Sequence, residues 1–115
     1  MAEYTVVTKE VEYTPEWDGN KDKPSPIRAT LRYITAGERA QCIGMRTVRG
    51  DVAIEIDYGK CLRFCLKKLH DFRVNGAKVE TPEQLMELSG FDGLFMELAL
   101  KAWNMNAKED TSPLP

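Results

Sequence analysis

Phe72-Arg-Val-Asn-Gly-Ala-Lys-Val-Glu-Thr-Pro-Glu-Gln-Leu-Met-Glu-Leu88 holds two strong local signals back to back. Asn75-Gly76 lies between short runs carrying Phe72, Val74 and Val79. Both residues tolerate positive φ, so the pair predicts a type I′ turn and a small β-hairpin. Thr81 then predicts a helix N-cap, with Pro82 at the first helical position and Gln84 three residues past the cap. That is a capping box whose proline gives up no useful N–H. A hairpin feeding a capped helix is scaffold, and it carries no catalytic group.

On the C-terminal side, Ser89-Gly90 ends this short helix, and a last helix is expected from about Asp92 to Met105. Leu94, Phe95, Leu98, Ala102 and Met105 form one apolar face. Met96, Ala99, Leu100 and Trp103 fill most of the remainder, leaving Glu97, Lys101 and Asn104 as a narrow polar stripe. A helix apolar nearly all round needs cover on more than one side. Leu94, Phe95 and Leu98 are assigned to the core; Met96, Leu100 and Trp103 are assigned to a partner or a second subunit. Residues 107–115 show no periodicity and are expected to be a mobile tail.

Toward the N-terminus, Tyr58, Cys61, Leu62, Cys65, Leu66 and Leu69 recur at spacings of three and four, which predicts one amphipathic helix. Lys60, Arg63, Lys67 and Lys68 fall on its other side. Thr35-Ala-Gly-Glu38 is a second capping box, expected to open a helix through about Thr47 with Ala36, Ala40, Ile43 and Val48 facing inward. Gly44 weakens that helix. Arg49-Gly50-Asp51 is a break, and Val52 to Ile56 fits either a strand or the entry to the next helix. Ile27 to Ile34 alternates apolar and polar residues, as a half-buried strand does. Tyr4 to Tyr13 reads as a strand with a break near Lys9, and the proline-rich segment Thr14 to Pro26 as a loop joining the two in an antiparallel ribbon.

The fold class expected is therefore α+β: an N-terminal antiparallel β-ribbon, then three to four helices with a small hairpin between them. One domain spans 1–106, with strands over about 4–34 and a mainly helical 35–106. The 115 residues suffice for one modest core. Hydrophobic residues at 43% and charged ones at 30% fit a globular protein. A net charge of −2 gives no global case for nucleic acid or anionic membrane. No apolar run is long enough to span a bilayer, and the N-terminus lacks the pattern of a secretory signal.

Catalytic and metal constellations are sparse. His70 is the one histidine. Cys61 and Cys65 at helical spacing resemble half a zinc site, but His70 lies about 140° around the helix from Cys65. Small reduced core residues are the preferred reading of both cysteines, with no metal and no cofactor. No Gly-rich phosphate loop is present. The basic residues at 60, 63, 67 and 68 read as a solvated helix face, because no aromatic is interleaved with them. Trp17, in a charged loop, is either a contact residue or packed back on the strands.

The order of elements resembles that of the tail assembly chaperones of long-tailed bacteriophages and prophages. The likeness lies in Leu31-Arg-Tyr-Ile-Thr-Ala-Gly-Glu-Arg39, an amphipathic helix ending near Leu69-His-Asp-Phe72, the stretch Val74 to Leu88, and a closing helix with Leu94-Phe-Met-Glu-Leu98 and Asn104 to Asn106. It leaves Tyr4 to Pro26 uncovered. The resemblance implies a small, mainly helical, non-enzymatic protein of the host cytoplasm. It would bind the tape-measure protein during tail morphogenesis, with the tail-tube protein or a second copy of itself as further partners. A small ligand-binding or enzymatic domain with a site near the N-terminal strands is the alternative, as is a structural or completion part of the tail.

Overall fold

Three strands form the central sheet of the computed structural model, which describes residues 1–6, 9–107 and 111–113. After β1 (Tyr4–Val6), β2 (Glu10–Tyr13) pairs antiparallel with β3 (Arg28–Arg32), as the alternation at Ile27–Ile34 predicts. The connection holds a short 3-10 segment, Trp17–Asp22, interrupted at Asp18 and Gly19, whose φ values are 53° and 67°. Buried Asn20 holds this loop shut. Its amide donates to the carbonyls of Pro15 and Ile27 at 2.8 and 3.0 Å and accepts from the Ile27 N–H at 2.8 Å.

α1 (Ala36–Gln41) begins at the expected capping box, Thr35 with Glu38. It ends six residues earlier than the sequence reading placed it. Ile43 to Thr47 belong instead to a strand, β4 (Ile43–Val48), which pairs antiparallel with β5 (Asp51–Ile56). This resolves the open choice at 52–56 in favour of strand and corrects the inward face assigned to Ala36, Ala40, Ile43 and Val48. α1 buries none of its residues, and Ile43 and Val48 are each 42% exposed. The helix stops where Gly44 weakens it and β-branched Thr47 and Val48 favour extended backbone.

The amphipathic helix is also shorter than expected. α2 (Tyr58–Cys65) gives way to β6 (Leu66–His70), the strand on the other side of β3. Leu66 and Leu69 are buried as predicted, but from a strand. Leu69 pairs with Ala29 and Leu66 with Leu31, and the register shifts between them, so β6 carries one extra residue there. A β-bulge puts residues three apart on one face of a strand, which imitates helical spacing. The mainly helical reading of 35–106 is thus corrected at 43–56 and 66–70.

Next come β7 (Arg73–Val74) and β8 (Ala77–Lys78), joined through Asn75 and Gly76 at φ 53° and 82°. α3 (Pro82–Met86) follows with its Thr81–Gln84 capping box, and α4 (Asp92–Ala107) closes the helical layer. Of the expected tail, Thr111–Pro113 forms β9 and pairs with β1, and Ala107 ends α4; the remainder lies outside the described residues.

Ala29, Leu31, Leu66 and Leu69 from the sheet meet Cys61, Leu62, Cys65, Leu94, Leu98, Ala99 and Ala102 from α2 and α4 in one core. The opposite sheet face is polar: Thr30 donates to Glu12 at 2.6 Å and lies 2.8 Å from His70 Nε2. The result is an α+β fold with antiparallel sheets. Among the described residues no helix is long and apolar enough to cross a membrane.

Candidate interaction surface

Arg49 and Gly50 both have positive φ, 52° and 85°, so they form a type I′ turn. That turn matches strand twist, and it sends β4 straight back as β5 over six paired residues. The base is fixed in the core. Cys42 is fully buried, its carbonyl accepts from Asp57 N–H at 2.7 Å, and the Asp57 carboxylate caps α2 at Lys60 N–H, 2.9 Å. Beyond that base, among the described residues, the ribbon belongs to no larger sheet.

Strand pairing sorts the ribbon's side chains onto two unlike faces. One face carries the pairs Ile43–Ile56, Met45–Ile54 and Thr47–Val52, without a charge. The other carries Gly44–Glu55, Arg46–Ala53 and Val48–Asp51, with Arg46 and Glu55 ion-paired at 2.7 Å. An apolar face ought to lie on the core. Here Met45, Val52 and Ile54 are 74%, 68% and 69% exposed. A two-stranded hairpin is marginal in water by itself, and one with an open apolar face needs a cover.

The residues that sequence assigned to binding lie on α4. Met96 and Leu100 are partly exposed, at 38% and 41%. Trp103 is half-buried and carries the Arg39 guanidinium 3.5 Å above its ring; Arg39 also donates to the Trp103 carbonyl at 3.1 Å. Glu97, read as part of a solvated stripe, faces the N-terminal loop instead. It accepts from Tyr13 Oη, Glu16 N–H and Trp17 N–H. Lys101 lies over the Tyr13 ring at 5.4 Å.

Trp17 packs back on the body. Its ring is 5.4 Å from Phe91, and a Cβ on Gly93 would come within 2.9 Å of it, so glycine is required there. Trp17, Ile27, Phe72 and Phe91 line a shallow recess of about 420 Å³. Cys42, Cys61 and Cys65 are free and buried, while His70 sits on the sheet's polar face. Among the described residues no group of three or more His, Cys, Asp or Glu is placed to hold a metal. The expected basic helix face is divided. Lys60 and Arg63 are on α2, but Lys67 and Lys68 are on β6, paired with Glu10 and Glu80 at 2.7 and 3.2 Å.

Sequence reading missed the ribbon because its signals conflict. Ile43 and Val48 fit a helical stripe begun at Ala36, and the turn uses Arg49 where Asn or Asp is usual. Alternation over Val52–Ile56 was the signal that could have found it. No family model, curated protein or solved structure matches the chain.

Proposed function

We propose that this protein is a tail assembly chaperone of a long-tailed bacteriophage or prophage. It binds apolar segments of the tape-measure protein in the host cytoplasm and catalyses no reaction. The observation that carries this reading is the charge-free, uncovered face of the β4–β5 ribbon, held away from the body on a buried base. Such a surface suits a long helical client whose apolar stripes need shielding until the tail tube encloses them. Each contact is small, so many weak copies along one client fit better than a single tight one. The sequence resemblance to that family at Leu31 to Arg39, Val74 to Leu88 and Leu94 to Asn106 supports the same reading, although the helix it places before Phe72 ends at Cys65.

Co-expression with a tape-measure protein from the same genome tests the proposal. The expected outcome is a higher soluble yield of that protein and its co-purification with this chain. An unchanged yield without co-purification would overturn it. The recess beside Trp17 favours a second reading, a small-ligand site, because its volume falls in the usual range for such sites. A ligand that saturates, quenches Trp17 fluorescence and is lost in Trp17→Ala would promote that reading.

A further inference from the structure

The ribbon is open along its edges as well as its face. Its two-residue turn closes on Val48 and Asp51 as a hydrogen-bonded pair, so the bonded pairs alternate back along the ladder. Val48, Arg46 and Gly44 therefore bond to β5, while Thr47, Met45 and Ile43 aim their N–H and C=O groups outward. Among the described residues no other strand takes them up. Natural edge strands are usually blunted by proline, inward charge, a bulge or a covering element. β4 has no proline, its one charge is Arg46, and its register with β5 is unbroken.

We infer that two copies of this chain pair antiparallel through the outer edges of their β4 strands, centred on Met45, into one four-stranded sheet. Three observations select this arrangement. The first is backbone geometry: with Met45 opposite the second copy's Met45, Ile43 meets its Thr47, and all the outward groups on both edges find partners. Every paired side chain then stays on its own face, so the two apolar faces become continuous.

The second is charge. In this register Arg46 lies opposite the second copy's Gly44, and beyond that glycine stands the second copy's Glu55. Strands are about 4.8 Å apart, so the two backbones are about 10 Å apart, within reach of extended Arg and Glu side chains over a residue with no side chain. The relation occurs twice about the two-fold axis and joins the Arg46–Glu55 pair already made within each chain at 2.7 Å into one network of two arginines and two glutamates. A one-pair slip toward the turn places Arg46 against Arg46; one toward the base sets Thr47 against Gln41 of α1, outside the strand, and leaves its outward groups without a ladder partner. Pairing through β5 sets carboxylates together: Asp51 against Asp57, Asp51 against Glu55, or Glu55 against Glu55, according to register. Like charges directly opposite are unfavourable.

The third is area. At the exposures of Ile43, Met45, Val52 and Ile54, one ribbon leaves on the order of 400 Å² of apolar surface, the size of an interaction patch. A specific interface needs about 800 Å² from each partner. Two ribbons side by side supply that, and four strands are enough for a sheet with one apolar face to hold its shape. The area argument and the platform's use rest on the client reading above; the backbone and charge arguments for the pairing do not.

The test uses the full chain without a client. Sedimentation equilibrium should give twice the 13.1 kDa chain mass at high concentration, falling toward one on dilution. Met45→Cys should form an intermolecular disulfide under mild oxidation, because bonded antiparallel pairs have Cα atoms about 5.5 Å apart. Ile54→Cys should not, because its positions would be about 14 Å apart. Arg46→Glu and Glu55→Arg should each be monomeric with native circular dichroism, and mixing the two should restore a dimer made of one of each. A monomer at all concentrations, cross-linking through position 54 in place of 45, or no recovery on mixing would overturn the pairing. A dimer that fails to solubilise the tape-measure protein would uphold the pairing and remove the chaperone reading alone.

Discussion

The phenol of Tyr13 donates to Glu97 Oε2 at 2.6 Å across 84 positions of sequence. The same carboxylate accepts from the N–H groups of Glu16 and Trp17 at 2.7 and 2.9 Å. One side chain of α4 therefore fixes the end of β2 and the start of the 3-10 segment. Hydrogen bonds to a charged acceptor contribute about 1.5–3 kcal/mol each, and a set sharing one acceptor is not additive. Glu97→Ala should cost about 3 kcal/mol in urea unfolding, and Tyr13→Phe about 1–2 kcal/mol. A cost below about 0.5 kcal/mol for Glu97→Ala would show that the loop docks by other contacts.

Two groups give the stability profile its limbs. Bonding to the Arg32 guanidinium, then to the Thr35 N–H, lowers the Glu38 pKa from 4.5 to about 2. A lowered carboxyl pKa contributes stability that is present above the unfolded value. It should be lost as pH falls from 4.5 toward 2. Burial, then the bond to Glu97, raises the Tyr13 pKa from 10 to about 12. Here the protonated form is favoured in the fold, so stability is present below pH 10 and lost as pH rises toward 12. Denaturant midpoints against pH should show both limbs; Glu38→Gln should flatten the first and Tyr13→Phe the second.

The thiols should be silent until the chain opens. Burial pushes Cys61 up to about 12 and Cys65 up to about 11, and raises Cys42 as well. Cys65 Sγ also donates to the Arg32 carbonyl at 2.8 Å. The thiolate is the reactive form, so native protein at pH 8 should not react with a disulfide reagent on the minutes scale. In denaturant all three should titrate. Rapid native labelling of one thiol would mean local opening near α2.

Features decided by neighbours in sequence were legible. Thr35 with Glu38, Thr81 with Pro82 and Gln84, and Asn75 with Gly76 each encode their geometry within four residues, and each forms as read. Features decided at a distance were not. The bulge in β6 lets Leu66 and Leu69 imitate a helix, because β3 sets the register. Glu97 and Lys101 have ideal spacing for a solvated pair, yet Glu97 is taken by the N-terminal loop. Period alone cannot distinguish an apolar residue that faces the core from one left exposed, so the pattern at Ile43 and Val48 reads as inward although each is 42% exposed. Of the three α4 residues read as a binding face, Met96 and Leu100 are the more open, and Trp103 lies beneath Arg39.

Two apolar surfaces are therefore open, and substitution separates them. Val52 and Ile54 touch little of their own chain, so Val52→Asp with Ile54→Lys should move the unfolding free energy by less than about 1 kcal/mol. Leu98→Ala, in the core, should cost about 2–5 kcal/mol. Leu100→Glu should cost less than Leu98→Ala, because Leu100 is 41% exposed where Leu98 is fully buried. Folding is thus preserved in both surface variants, and their effect on client capture can be read directly. If the ribbon is the capture surface, the double ribbon variant should lose co-purification of the tape-measure protein while Leu100→Glu keeps most of it. The reverse pattern would move the site to α4 and leave the ribbon's open face without a client. Equal loss in both would place one client segment across ribbon and helix together. Retention in both, with thermal unfolding unchanged, would remove apolar capture as this protein's activity.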